Sequence, residues 1–170
     1  ATGLKPATAY TYRFKAKAAD GDVISPEGRT RTTAADGTAP VKLGVVSCSN
    51  WQFGLFSAYA ALAATPDLDA VVHLGDYIYE YPVGTYPDTV MPGREMLPAD
   101  EIIMIDDYRQ RYASYRADPA LQAIHARFPM IAIWDDHEFA NDTWKGGAEN
   151  HQPDEGPWAM RRDAALKAHR

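Results

Sequence analysis

Three apolar runs in this sequence each end abruptly in side chains that can bind metal ions. Residues 41–46 lead into Ser47-Cys48-Ser49-Asn50, residues 70–74 into Gly75-Asp76-Tyr77-Ile78-Tyr79-Glu80, and residues 130–134 into Asp135-Asp136-His137-Glu138. Asp76 and Asp136 carry hard oxygen donors suited to bridging cations, and a tyrosinate at Tyr79 suits a hard ion such as Fe(III). A thiolate at Cys48 would add negative charge to such an ion. Each feature also has a plainer reading. Gly75-Asp76 alone is an ordinary turn, and a lone cysteine is most often a packing residue. The signal is the succession: three apolar runs, each closed by candidate ligands.

For those ends to meet, the runs must be parallel strands. Leu55, Tyr59 and Leu62 fall on one face at helical spacing, among alanines of high helix propensity, and Thr65-Pro66-Asp67 stops that helix. Strand, helix and strand within about 35 residues make a βαβ unit with a parallel sheet. Such a sheet gathers its carboxyl ends on one edge, where ligands bind in open α/β folds. Residues 81–98 carry Pro82, Gly84, Pro87, Pro92, Gly93 and Pro98 and read as a long loop forming a wall or lid of the site. Asp106 or Asp107 is expected to cap a helix whose Tyr108, Tyr112 and Tyr115 share one core-facing side. Asp118-Pro119 opens another short helix, and Pro157 opens a terminal helix that runs into Arg170.

The start of the chain has a different period. Tyr10, Tyr12, Phe14 and Ala16 alternate with Thr11, Arg13, Lys15 and Lys17, as in one half-buried antiparallel strand. Turn signals at Asp20-Gly21-Asp22 and Ser25-Pro26-Glu27-Gly28 bracket a short strand at Val23-Ile24, and residues 29–33 read as an edge strand. The segment Leu4-Lys5-Pro6-Ala7-Thr8-Ala9-Tyr10 resembles the tyrosine corner of fibronectin type III and related sandwiches. There a tyrosine hydroxyl bonds back to the backbone. Residues 1–35 are therefore expected to be the last strands of an Ig/fibronectin-III-like β-sandwich, 36–40 a linker, and 41–170 the first half of an α/β core.

Composition narrows the function classes. The 170 residues carry a formal net charge of −6, which argues against a nucleic-acid or acidic-membrane surface. No apolar run is long enough for a transmembrane helix. The single cysteine excludes an internal disulfide.

The ligand-bearing strings resemble a known family. Asp76 and Tyr79 match the G-D-x-x-Y motif of purple acid phosphatases, and Asp135-Asp136-His137-Glu138 resembles the G-N-H-[DE] motif of calcineurin-like metallophosphoesterases, with Asp136 in place of Asn. The strings Ser47-Cys48-Ser49, His73-Leu74-Gly75-Asp76-Tyr77-Ile78-Tyr79-Glu80-Tyr81 and Trp134-Asp135-Asp136-His137-Glu138 look like signatures of the alkaline phosphatase D (PhoD-like) family. The resemblance implies a partial metallophosphoesterase α/β sandwich, with a site for Fe(III) and a divalent ion, calcium in characterised relatives. Carried over by position, Cys48 and Tyr79 would bind iron, Asp76 would bridge the metals, and Asp136 would bind the second one. His137 would stabilise or protonate the leaving oxygen. Asn50 and Asn141 are possible phosphate or second-metal contacts. The implied reaction is hydrolysis of small phosphate mono- or diesters by a metal-bound hydroxide, in a periplasmic or extracellular setting. Two metals about 3.5–4 Å apart suit it, one activating water and the other holding the ester oxygens. A phospholipase- or nuclease-like diesterase and a degenerate, non-catalytic binding domain are the alternatives.

Other residues take supporting or neutral roles. Asp135 and Glu138 are read as possible orienters of the ligands, and His73 as a core histidine. His125, His151 and His169 are read as solvated, and Trp134 and Trp144 as site walls or core. The sandwich lacks its first strands, the last helix reaches Arg170 without a stop signal, and no further histidine cluster follows. Residues 1–170 are accordingly expected to be a fragment, inactive alone.

Overall fold

Four short strands open the chain: β1 (Ala9–Tyr12), β2 (Lys15–Ala18), β3 (Gly21–Ile24) and β4 (Gly28–Arg31). In this computed structural model, which describes residues 1–37, 39–86 and 89–169, β1 pairs antiparallel with β4 and β2 with β3. Thr38 of the expected linker, Pro87 of the long loop and Arg170 at the end of the last helix lie outside the described residues. The expected single strand from Tyr10 to Lys17 is thus two strands in separate ribbons, broken at Arg13-Phe14. Nor is its apolar face half-buried: Phe14 is 71% exposed, because no second sheet covers either ribbon among the described residues. The corner bond does form, with Lys5 N–H donating to the Tyr10 hydroxyl at 2.8 Å.

The second part is a parallel sheet with helices. It comprises β5 (Leu43–Val46), α1 (Ser57–Ala64), β6 (Ala70–His73), α2 (Ile105–Arg116), α3 (Pro119–Arg127), β7 (Met130–Ala132) and α4 (Trp158–His169). The strand order is β5-β6-β7, with Val46 opposite His73 and His73 opposite Ala132. That register lines up the three carboxyl ends. The third strand stops at Ala132 rather than Trp134. Ile133 N–H still donates to the His73 carbonyl, after which the chain turns to place residues 134–138 over the end of β6.

Packing follows the expected faces with two changes. Tyr59 and Leu62 of α1 lie on the core, but Leu55 precedes the helix and is 72% exposed. Helix α2 starts after Met104. Asp107, at its third position, accepts from Met104 N–H at 2.8 Å and Ile103 N–H at 3.2 Å, whereas Asp106 pairs with Arg109 on the surface. Asp118 caps α3 as expected, accepting from Ala120 N–H at 2.7 Å and Leu121 N–H at 3.0 Å. Tyr108, Tyr112 and Tyr115 are core residues.

Two buried arginines hold the long loop in place. Arg111 donates to the carbonyls of Tyr79, Tyr81, Pro98 and Asp100. Arg94, within the loop, pairs with Asp118 at 2.6 Å and lies 3.5 Å above the Trp51 ring. Backbone carbonyls that would be orphaned in an irregular segment are thereby satisfied by fixed cations. The described part of the loop is a wall, tied to α2 and α3.

Candidate metal centre

The loops after β5 and β6 leave their strands through backbone that few residues adopt. Cys48 and Asp76 have φ of 56° and 54°, and Gly75 has 107°. For a residue with a Cβ such a conformation costs about 1–3 kcal/mol and persists only where the surroundings hold it. They do. Cys48 N–H donates to the Gly75 carbonyl at 3.1 Å and Ser49 N–H to the Asp76 carbonyl at 2.9 Å, so the two ligand-bearing turns are latched together. A Cβ on Gly75 would lie 2.5 Å from Asp135 Cβ and 2.6 Å from Asp135 N. Glycine is therefore needed at 75 both for φ and for the approach of the third turn.

Donor atoms of Asp76, Asp136 and His137 all lie within 4.8 Å of one another. Cys48 is exposed and lies outside this trio, close enough to Asp76 to oppose the rise in its pKa. The Tyr79 hydroxyl donates to Asp76 Oδ2 at 3.3 Å. Asp76 Oδ1 is buried and has no hydrogen-bond partner among the described residues. Burial pushes the Asp76 carboxyl up from the usual range, with Asp136 and Asp135 adding to the shift and His137 and Cys48 opposing it. A buried carboxylate oxygen without a donor, next to a second carboxylate, an imidazole and a thiol, lacks one thing, a cation. The donor set fits a metal ion on this ground.

Glu80 and Glu138 hold the donors, and both are buried. Glu138 accepts from Asp76 N–H at 3.1 Å, Tyr77 N–H at 2.5 Å and Asp135 N–H at 2.8 Å, joining the second and third turns through one side chain. The orienting role read for Glu138 is thus seen in the geometry. Asp135 does less: its Oδ1 accepts from Asp136 N–H at 3.1 Å. Glu80 Oε2 lies 2.7 Å from His137 Nδ1, and Glu80 Oε1 accepts from Asn141 N–H at 2.7 Å and Asn150 Nδ2 at 2.9 Å. With Nδ1 engaged, Nε2 is the His137 nitrogen left for a ligand. The imidazole is stacked on Tyr79, ring centroids 4.3 Å apart.

Glu80 is a positioning residue that the spacing of the motifs does not single out. Its signal was available: an acid within Tyr77-Ile78-Tyr79-Glu80-Tyr81 must be buried, and a buried charge needs a partner. Burial alone would lower the His137 pKa, but the hydrogen bond and charge of Glu80, with Asp136 and Asp76, outweigh it and raise it. Burial would raise Glu80, and His137, Asn150 and Asn141 overcome that and lower it. The raised His137 stabilises the fold below the ordinary imidazole range, an effect lost as pH rises through its folded pKa. The lowered Glu80 stabilises above the ordinary carboxylate range, an effect lost as pH falls through its folded pKa. The pair is fully effective between those ranges. Glu80→Gln in the metal-free protein is expected to lower the His137 pKa, read from its ring protons in an NMR titration. An unmoved titration curve would show that Glu80 does not set it.

Other expected residues sit as follows. Asn50 and Asn141 are not part of the trio. Asn50 accepts from Gln52 N–H at 3.0 Å and donates to the Tyr86 carbonyl at 3.0 Å, while Asn141 Nδ2 donates to Glu149 at 3.1 Å. His73 is fully buried, as a core histidine should be, and burial holds its pKa down to about 4. It is also a strut: Nδ1 accepts from Gly75 N–H at 3.3 Å and Nε2 lies 2.8 Å from the Tyr59 hydroxyl. The solvated reading of His125, His151 and His169 is corrected. They contact Tyr77 (2.8 Å), Glu155 (3.1 Å) and Tyr112 (3.1 Å): α3 and α4 turn His125 and His169 toward partners distant in sequence, and His151 meets Glu155 in the short turn before α4. Trp134 and Trp144 are exposed and not core.

Comparison with known proteins agrees with this geometry. A family model described as PhoD-like phosphatase matches residues 43–170. Alkaline phosphatase D of Bacillus subtilis (strain 168) is 40% identical over 171 residues, spanning 99% of this chain and 28% of that protein. A solved structure of PhoD superimposes with a TM-score of 0.80 at 35% identity, over 98% of this chain and 31% of that one. The purple acid phosphatase PPD1 from yellow lupin (Lupinus luteus) seeds superimposes with a TM-score of 0.51 at 17% identity, over 96% of this chain and 26% of that one, a likeness of fold alone. The chain thus spans under a third of the length of these relatives. Matched over most of its residues by the family model and latched at its three strand ends, the chain belongs to the PhoD-like phosphatase family.

Proposed function

We propose that the full-length protein hydrolyses small phosphate esters at this centre. The observation that carries the reading is Asp76 Oδ1, buried without a hydrogen bond among the described residues and beside the donor atoms of Asp136 and His137. Cys48, Tyr79 and Asp76 would hold a trivalent iron, and Asp76 and Asp136 a divalent ion, calcium by family likeness, with Asn50 and Asn141 as further contacts. Metal ions held there supply the charge that neutralises phosphoryl oxygens and activates water. His137, whose protonated form Glu80 favours, would donate from Nε2 to the leaving oxygen. Glu138 keeps the Asp76 backbone fixed while this happens. Residues 1–35 belong in this reading to the end of an Ig-like domain, 36–40 to a linker and 41–170 to the start of the phosphatase domain. Among the described residues no helix is long and apolar enough to cross a membrane. A periplasmic or extracellular location rests on family likeness.

The test combines turnover and spectroscopy. The full-length product is expected to lose at least about 100-fold of its activity on chelation and to recover it with metal. Residues 1–170 alone are expected to turn over no ester measurably. In the iron-loaded full-length protein, Tyr79→Phe should remove a visible tyrosinate-to-iron absorption band. A wild type without that band, or a mutant that keeps it, means that Tyr79 does not bind iron.

A further inference from the structure

Beside the centre lies a cavity of ≈ 470 Å³, bounded by Cys48 and Tyr79 together with Phe53, Leu55, Phe56 and Tyr86. We propose that it receives an uncharged aromatic group on the alcohol side of the phosphate ester, an inference that rests on the hydrolytic reading above. Among the described residues no Asp, Glu, Lys, Arg or His side chain lines it; its polar side chains are Ser47, Ser49, Asn50 and three tyrosines, so it carries no fixed positive charge for a second anionic group. Phe53 is 57% exposed although it belongs to a well-anchored turn, and Leu55 next to it is more exposed still. A cavity lined by aromatic and aliphatic side chains with a few polar groups, set beside a candidate centre, has the usual form of a small-molecule site.

The pocket wall is built rather than incidental. Asn50 Nδ2 and Gln52 Nε2 both donate to the Tyr86 carbonyl, at 3.0 and 3.4 Å, and Gln52 Oε1 accepts from Gly84 N–H at 2.9 Å. Both amides are buried, so the loop bearing Tyr86 is fastened to the turn bearing Phe53 from beneath. The Phe53 and Tyr86 rings meet edge to face with centroids 5.1 Å apart. Tyr86 lies 6.2 Å from Tyr79, and Tyr79 4.3 Å from His137. A series of ring contacts links the pocket mouth to the residue assigned as proton donor. Exposed aromatic side chains at a pocket mouth can pack a further ring in edge-to-face or offset geometry.

Calorimetric titration of the metal-loaded full-length protein with benzylphosphonate and methylphosphonate tests this. The two unreactive phosphonates differ only in the phenyl ring, and the benzyl compound is expected to bind about tenfold more tightly. Phe53→Ala and Leu55→Ser should each remove most of that ratio. Phe14→Ala, which deletes an exposed ring in the amino-terminal layer, should leave it unchanged. Equal affinities, no binding of either compound, or a ratio that both pocket variants retain would overturn the assignment. Turnover is not read here, so a protein that binds the ring but hydrolyses no ester counts against the proposed function and not against the pocket.

Discussion

Asp76→Asn is expected to lower kcat/KM for phosphate esters by about a thousandfold, roughly 4 kcal/mol of transition-state stabilisation, while making the metal-free fold more stable. The two effects have one cause. Asp76 is buried, one of its oxygens has no donor among the described residues, and Asp136 stands within the same cluster. Its folded pKa is raised above the unfolded value, so above the ordinary carboxylate range its ionised form opposes folding, and stability returns as pH falls through the folded pKa. Asparagine removes that charge, keeps the shape and tolerates the left-handed backbone at φ 54°. A gain of about 1 kcal/mol is expected in urea denaturation with chelator present, and little or none with metal bound. A mutant that is inactive and also less stable without metal would mean that Asp76 is structural rather than a cation ligand.

Glu138→Ala is expected to have the largest effect on folding, about 3 kcal/mol of destabilisation. The carboxylate is the acceptor for three buried backbone donors, Asp76, Tyr77 and Asp135. Truncation leaves all three unsatisfied where water has poor access, since Glu138 is only 2% exposed. The estimate lies below three full penalties because burial raises the Glu138 pKa and the wild type already bears part of that cost. The check is the urea midpoint at unchanged slope. Glu138→Gln retains one acceptor oxygen and should recover part of the loss. A midpoint shift below about 1 kcal/mol would mean that the turns are held together by packing instead.

These predictions concern side chains whose importance was unevenly visible beforehand. The order of strands and helices from residue 41 onward could be read because each element carries its own short-range signal: apolar runs, helical spacing of Tyr59 and Leu62, and the cap at Asp118. The errors have equally local causes. Alternation from Tyr10 to Lys17 specifies an extended chain but not whether another layer covers it, and here Phe14 stays in water. Two adjacent acids, Asp106 and Asp107, both look like caps, and only backbone geometry selects Asp107. Histidines 125, 151 and 169 looked unpartnered because Tyr77 and Tyr112, the partners of the first and last, lie 48 and 57 residues away in sequence.

The ligand types and their places at strand ends were determined by the sequence alone, since a strand ending in Gly-Asp or Asp-Asp-His presents those groups whatever surrounds it. Their convergence was decided by tertiary structure. Register across β5, β6 and β7 brings residues 48, 76 and 136 to one edge. Glu80 reaches His137 across 57 residues, and Glu138 reaches Tyr77 across 61. No local pattern encodes such pairings, because the energy that enforces them is the cost of leaving a buried charge or N–H unmatched, and burial exists only once the chain has folded.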